Sequence, residues 1–202
     1  GSAAMAATAS SSLSTIKPDT PCSITSGTEP QRKAMTGVAQ AIASIMTSRG
    51  CPYDCTFCSV TTMLGRGYRY TSEDRVIEEI RRYRDQDYIF FCDDNFAVNK
   101  KRTKNILRRK IAEGFDMEWS AQVRAEVTDD TELIRLMRES NCFNVYIGFE
   151  SFNPKTLALY NKRMDVERIQ RRMDVFHKNR VKVHGMFVLG SDADDTPAVR
   201  GT

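Results

Sequence analysis

Met117-Glu118-Trp119-Ser120-Ala121-Gln122-Val123-Arg124-Ala125-Glu126-Val127 alternates without a break. In an extended chain Trp119, Ala121, Val123, Ala125 and Val127 share one face, and Glu118, Ser120, Gln122, Arg124 and Glu126 share the other. An outer strand of a sandwich reads the same way, so the neighbours decide. Tyr88–Cys92 is a short continuous apolar run, as expected of a strand buried on both faces. Val145–Glu150 alternates again. Between these strands Lys100–Glu113 carries Ile106, Leu107 and Ile111 at helical spacing, with Gly114 as its stop. Strands separated by helices predict a parallel α/β sheet. Curled into a barrel, such a sheet puts the apolar side of 117–127 under helices and its polar side in a lumen that holds ligands.

Working outward, Ala41–Thr47 reads as a first strand. Thr71 caps a helix with Asp74 in capping-box spacing, and Val76, Ile77, Ile80 and Tyr83 follow on one face. A helix spans Asp130–Glu139 with Leu133, Leu136 and Met137 inward. Asn153-Pro154 opens a further helical region, since proline suits a first turn. Val166–Asn179 is its main helix, Val181–Leu189 the fifth strand, and Gly190–Thr202 a polar tail. The fold class is therefore α/β: a parallel partial TIM-type barrel of about five to six repeats, five of them clear, occupying residues 41–202. Residues 1–40 are a Ser/Thr/Ala-rich flexible leader that opens Gly-Ser-Ala-Ala-Met, in the manner of a tag scar. A transit peptide is the other reading of that leader and would send the chain to an organelle matrix; otherwise it is cytoplasmic.

Composition narrows the classes. With 41% apolar and 28% charged residues in 202, the chain is an ordinary globular one, and no apolar run is long enough for a membrane span. A net charge of +4 permits acidic ligands without demanding nucleic acid. The basic run Lys100–Lys110 alternates with Ile106 and Leu107, so it reads as a solvated helix face rather than an RNA contact.

Chemistry enters at Arg49-Gly50-Cys51-Pro52-Tyr53-Asp54-Cys55-Thr56-Phe57-Cys58. The C-x3-C-x2-C spacing gathers three thiols on one short loop. A cubane iron–sulfur cluster normally takes four cysteines, so three would hold three irons and leave one open. A closed zinc site needs a fourth ligand. Cys92 and Cys142 are isolated, and His177 and His184 are wrongly spaced for a finger. Three cysteines in a metal-type cluster argue for a reducing compartment.

This run, with Phe57 before its third cysteine, resembles the signature of the radical SAM superfamily. The likeness covers about residues 44–195. The cysteine loop, Asp93-Asp94-Asn95 and Gly148-Phe149-Glu150-Ser151 look most like the group fused to a cobalamin-binding domain, which includes methylases and tetrapyrrole- or hopanoid-modifying enzymes. The resemblance implies that Cys51, Cys55 and Cys58 ligate a 4Fe–4S cluster and that S-adenosylmethionine (SAM) chelates the remaining iron. It further implies reductive cleavage of SAM to a 5′-deoxyadenosyl radical, with methyl transfer as one outcome. Cobalamin would enter only through a domain that this chain does not contain. A low-potential flavodoxin or ferredoxin would supply the electron, and the substrate would be a small molecule.

The same resemblance assigns site residues. Asp93, Asp94 and Asn95 accept from the methionine ammonium of SAM, in place of the Gly-Gly-Glu common in the family. Glu150 takes the ribose hydroxyls or the amine, or else pairs with Arg124. Arg124 binds the carboxylate of SAM, Gln122 lines the same wall, and Phe57 shields the cluster and meets the adenine. The backbone of 184–190 runs beside that adenine, with His184 itself a packed barrel residue. Cys92 and Cys142 behave as small buried hydrophobes, and Cys22 is incidental. No general acid or base is assigned. The rivals are a zinc- or cluster-stabilised RNA-binding module and a catalytically inactive barrel fragment.

Overall fold

The computed structural model describes residues 6–7, 42–164 and 166–194. The expectations for most of the leader, for Cys22, for Ala41 and for the end of the tail lie outside those residues. The strands are β1 (Ala6–Ala7), β2 (Ile42–Ile45), β3 (Ser48–Arg49), β4 (Arg69–Tyr70), β5 (Tyr88–Phe91), β6 (Glu118–Gln122), β7 (Cys142–Glu150) and β8 (Lys182–Val188). The helices are α1 (Ser59–Leu64), α2 (Glu73–Arg82), α3 (Lys100–Ala112), α4 (Thr131–Glu139), α5 (Pro154–Leu159) and α6 (Ile169–Lys178). The main sheet runs β1-β8-β7-β6-β5-β2. All its pairs are parallel except β1 with β8. This is the partial barrel that the alternation predicts, with five parallel strands. Among the described residues no helix is long and apolar enough to cross a membrane.

One face of the sheet is dry. Ile45, Ile89, Phe91, Trp119, Ala121 and Val145 are wholly buried under the helices. Each large side chain so buried contributes roughly 1.5–3 kcal/mol. Trp119 is the hub: the Phe91 and Phe96 rings lie 5.5 Å from it, and its Nε1 donates to Ser140 Oγ at 3.1 Å. The opposite face carries half-buried rings, with Phe90 5.7 Å from Tyr146 and Tyr146 5.2 Å from His184.

Several elements differ from expectation, each for a local reason. The cap of α2 is Ser72, which accepts from Arg75 N, because the Thr71 backbone is committed elsewhere: its N–H donates to Thr47 O and its carbonyl accepts from Arg102. The strand predicted over 117–127 stops at Gln122, and 125–129 is a 3-10 turn. Gln122 O accepts from Phe96 N, so the segment after β5 crosses the strand's end. The alternation nonetheless survives as burial, with Val123, Ala125 and Val127 inside. β7 begins earlier than predicted, at Cys142, and the helix expected from Val166 starts as a 3-10 turn before α6.

The largest correction concerns α3, whose basic run is only in part a solvated face: Lys101 and Arg108 are exposed, but Arg102 and Lys110 are buried. Lys104 pairs with Asp130 (3.2 Å) and Glu132 (3.0 Å), Arg108 with Glu132 (2.5 Å), and Arg109 with Asp74 (2.6 Å). Lys110 is fully buried and donates to Phe115 O, Met117 O and Ser140 O at 2.7–2.9 Å. Burial pulls its pKa down to about 8, against the pull of three carbonyls that favour the ammonium. The positive charges of α3 thus stitch α2 and α4 to the foot of the sheet.

Candidate functional site

The site forms where the parallel strands end, the usual ligand face of such barrels. At the end of β2 the chain leaves the sheet into the β3–β4 ribbon, in which Ser48 pairs with Tyr70 and Arg49 with Arg69. Asp93 holds that exit. Its Oδ1 accepts from Thr47 N (2.6 Å), and its Oδ2 accepts from Thr47 Oγ1 (2.6 Å) and Ser48 Oγ (2.5 Å). Arg102 closes the set from α3, donating to Thr47 Oγ1, Thr47 O and Thr71 O. Both groups are almost wholly buried. A buried carboxylate needs such donors, and here they are all protein groups. The structure therefore commits Asp93 to anchoring the loop rather than to a ligand amine.

Asp94 does related work one step on, accepting from Gly50 N at 2.8 Å. Gly50 has φ +91°, and a Cβ there would run into Gly67 O. Only glycine allows the two sides of the ribbon to approach this closely. Asn95 is buried beside these two carboxylates in sequence. The Asp-Asp-Asn run thus lies behind the cysteine loop, with both its carboxylates bonded to the loop's entry.

Cys51, Cys55 and Cys58 are half-buried free thiols on the loop that the ribbon closes. Cys58 N donates to Cys55 O at 3.1 Å and starts α1 as its N-cap, and Thr61 Oγ1 donates to Tyr53 O at 3.1 Å. Burial pushes the Cys51 thiol up; the Tyr53 N–H opposes this, and the neighbouring Cys58 and Cys55 add to it. Among the described residues no three His, Cys, Asp or Glu side chains close on a common point as a bound metal would require. The donor set nevertheless fits an iron–sulfur group. It offers three half-buried free thiols on one loop, with Cys58 and Cys55 close enough to Cys51 to push its pKa up, a repulsion that a cationic iron–sulfur core would relieve.

Across the mouth from this loop stands the α5–α6 connection. Thr56 N donates to Tyr160 O (3.0 Å), Thr56 Oγ1 to Leu159 O (3.0 Å) and Asn161 Nδ2 to Asp54 O (3.3 Å). The Phe57 and Tyr160 rings meet at 4.9 Å. Arg124 joins the same assembly: its guanidinium lies 4.1 Å over the Tyr53 ring, pairs with Glu126 (3.2 Å) and donates to Arg163 O (3.0 Å). The structure does not pair Arg124 with Glu150. Glu150 pairs instead with Lys162 at 3.0 Å, both side chains nearly buried. Arg124 turns to Glu126 because the chain has left the strand by that point.

Glu150 sits in the left-handed region (φ +64°) at the end of β7. Its carboxylate folds back over Gly148, where an added Cβ would run into Oε1 and lie 3.3 Å from Lys162 Nζ. The spacing Gly148-x-Glu150 was a visible signal for this fold-back, whereas nothing in the sequence singled out Lys162. Beside the loop a cavity of about 310 Å³ is lined by Phe57, Leu159, Tyr160, Val188, Gly190 and Ser191, among others. Gln122 is exposed at the end of β6, and His184 packs against Tyr146 on the inner face. Cys142 is buried, which holds its thiol well above the usual range, while Cys92 is only half-buried.

The sequence profile of the Radical SAM superfamily matches residues 45–198, and the chain belongs to that superfamily. It is 34% identical over 162 residues to an uncharacterized methyltransferase of Pyrococcus horikoshii, covering 78% of this chain and 35% of that protein. It is 28% identical over 164 residues to the bacteriochlorophyllide d C-12(1)-methyltransferase of Chlorobaculum tepidum, covering 78% and 36%. The chain thus spans about a third of the length of these curated relatives. Among solved structures, the radical S-adenosylmethionine methyltransferase TsrM from Kitasatospora setae, with cobalamin and a [4Fe–4S] cluster bound, superposes with a TM-score of 0.73. That likeness covers 80% of this chain and 33% of TsrM at 18% identity, and it speaks to the fold alone.

Proposed function

We propose, with membership of the radical SAM superfamily as the premise, that these residues are the core of a SAM-dependent methyltransferase that works through an iron–sulfur cluster. Cys51, Cys55 and Cys58 would hold a 4Fe–4S group, which when bound supplies the electron for reductive cleavage of SAM. The chain's own residues do the rest. Asp93, Asp94 and Arg102 fix the loop's entry, and Thr56 and Asn161 fix its far side. The cavity between Phe57, Tyr160 and Val188–Ser191 would take the nucleoside end of SAM, excluding water with two rings. Glu150 and Gln122 stand at the mouth, within the ring of elements that surrounds the loop. A low-potential flavodoxin or ferredoxin would be the electron source, and a small molecule the methyl acceptor.

What supports this reading is the placement of three half-buried free thiols on a tethered loop at the ligand end of a parallel sheet, in a chain of this superfamily. The test is anaerobic reconstitution with iron and sulfide. The protein is expected to turn brown, bind iron and sulfide in equal amounts, and form 5′-deoxyadenosine from SAM under reduction. Cys55→Ala should lose the iron and Cys142→Ala should keep it. A colourless, zinc-loaded protein, or full iron and sulfide in Cys55→Ala, would overturn the assignment.

A further inference from the structure

The ribbon that closes the cysteine loop carries charges that the site has not used. Arg49 and Arg69 are Cα partners across β3 and β4, and residues directly opposite in an antiparallel pair share one face, where like charges repel. Both arginines are exposed. Among the described residues neither is paired with a carboxylate, and Arg49 Nη2 lies 3.5 Å from the sulfur of Met46. Arg66 adds a third charge, its side chain 70% exposed and 3.5 Å from Asp54. Asp54 is the single acid between Met46 and Tyr70, against three arginines. The other face of the ribbon is occupied: Ser48 turns inward to Asp93, and Tyr70 lies 5.3 Å under the Arg102 guanidinium.

Lys104, Arg108 and Arg109 of α3 each find an acid on a neighbouring element, whereas the ribbon arginines do not. Two like charges held opposite each other lower stability, so the fold does not account for them. Their position does. Only Gly50 separates Arg49 from Cys51, so the Cα atoms of those two lie within roughly 7 Å. None of the residues lining the 310 Å³ cavity comes from the ribbon. Met46 beside Arg49, and Met63 on the helix that Cys58 caps, are 45% and 77% exposed. Arginine with methionine is a composition enriched at protein interfaces.

We propose that the outer face of the β3–β4 ribbon, centred on Arg49 and Arg69, docks the acidic one-electron carrier protein that reduces the cluster. The proposal rests on the reading of the loop as a cluster site. A carrier with carboxylates around its redox centre, such as an acidic flavodoxin, supplies the charges that the ribbon lacks. One electron leaves the carrier and enters the cluster, so the carrier is oxidised by one electron and the cluster reduced by one. No bond is made or broken at the face. Docking here leaves the cavity free, so SAM and the carrier can be bound together. Electron-transfer encounters of this kind are small and steered by charge.

The test gives the reconstituted full chain two reductants, an acidic flavodoxin and dithionite, which needs no docking face. In Arg49→Gln/Arg69→Gln, the Kd for labelled flavodoxin by fluorescence anisotropy is expected to rise roughly five- to tenfold at low salt, the loss of two exposed charge contacts. The KM for flavodoxin in 5′-deoxyadenosine formation should rise with it. The rate with dithionite should stay within about twofold of wild type, since exposed substitutions of this kind scarcely disturb a fold. Added salt should weaken wild-type binding more steeply than binding of the variant. Arg69→Gln alone serves if the double variant takes up less iron. An equal fall with both reductants would show that the arginines act on the loop itself, and would overturn the proposal. So would a wild-type chain that does not bind flavodoxin, or a variant unchanged in Kd and salt dependence, including one that instead loses affinity for an RNA oligonucleotide. Failure of the wild-type chain to form 5′-deoxyadenosine with dithionite would overturn the reading of the site, while anisotropy would still decide the docking face.

Discussion

Asp93→Asn separates two roles for the carboxylate behind the cysteine loop. Its oxygens meet three donors, Thr47 N, Thr47 Oγ1 and Ser48 Oγ, at 2.5–2.6 Å. Thr47 Oγ1 in turn accepts from Arg102 Nη1 at 3.2 Å, so the aspartate also answers a buried guanidinium through one hydroxyl. An amide keeps one oxygen and turns an NH2 group toward donors. The hydroxyls can rotate to accept, but the Thr47 N–H cannot. At least one charge-assisted bond, worth about 1.5–3 kcal/mol, is lost, and a buried donor or the Arg102 charge goes partly unanswered for a further ~1 kcal/mol or more. The expected destabilisation is about 3 kcal/mol, a large share of a domain's total. Urea unfolding of the iron-free protein measures it, with iron uptake on reconstitution as a second readout. Both should fall together. Stability within about 0.5 kcal/mol of wild type, with only SAM affinity reduced, would refute the anchoring role and restore Asp93 as a ligand residue.

Gly50→Ala should destabilise by about 2 kcal/mol or more, since it combines a left-handed φ with a collision at Gly67 O; Gly67→Ala, with open space around its Cβ, should be near neutral in the same thermal melt. Lys110→Met strands three buried carbonyls and should cost about 2 kcal/mol or more at neutral pH, measured by denaturant unfolding. Because the folded pKa of Lys110 lies at about 8, below the ordinary 10.5, the unfolded chain binds more protons between those values. The Lys110 contribution to wild-type stability should therefore rise as pH climbs from about 8 to 10.5, and that rise should be missing in Lys110→Met.

What the sequence disclosed was whatever local periodicity controls. The alternation of 117–127 told inner from outer face correctly even where the strand had ended, because burial follows the side-chain pattern and not the ladder. The apolar run of Tyr88–Cys92 and the spacing in α2, α3 and α4 placed the core for the same reason. Interactions between elements far apart in sequence stayed hidden. The basic run of α3 looked wholly solvated because its partners, Asp74 in α2, Asp130 at the cap of α4 and Glu132 in α4, lie far from it in sequence. Glu150 and Arg124 looked like a pair because both fall on polar faces of strands. The pairing with Lys162 depends on a left-handed residue that no composition rule reveals. The β3–β4 ribbon was missed because two-residue strands carry no periodicity, though Gly50 and Gly67 marked where it closes.

The two faces of the sheet divide the work, and the anchoring of the cysteine loop shows how. On the proposed reading the loop presents three sulfurs to one ligand, and such a loop cannot be buried by apolar packing, because the thiols have to stay reachable; all three are half-buried. Its rigidity must come from directional bonds at its ends. On the entry side these are Asp93, Asp94 and Arg102, and on the far side Thr56 and Asn161. The entry anchors are rooted in the dry face, since α3, which carries Arg102, also presents Ile106 and Leu107 to the core. The far anchors hang from the α5–α6 connection, which carries Lys162 as well. The loop is therefore stiff toward the core and coupled on its other side to the charged pair at the mouth. Substitutions at the entry should be felt first as lost stability, and substitutions at 159–163 first as altered ligand affinity.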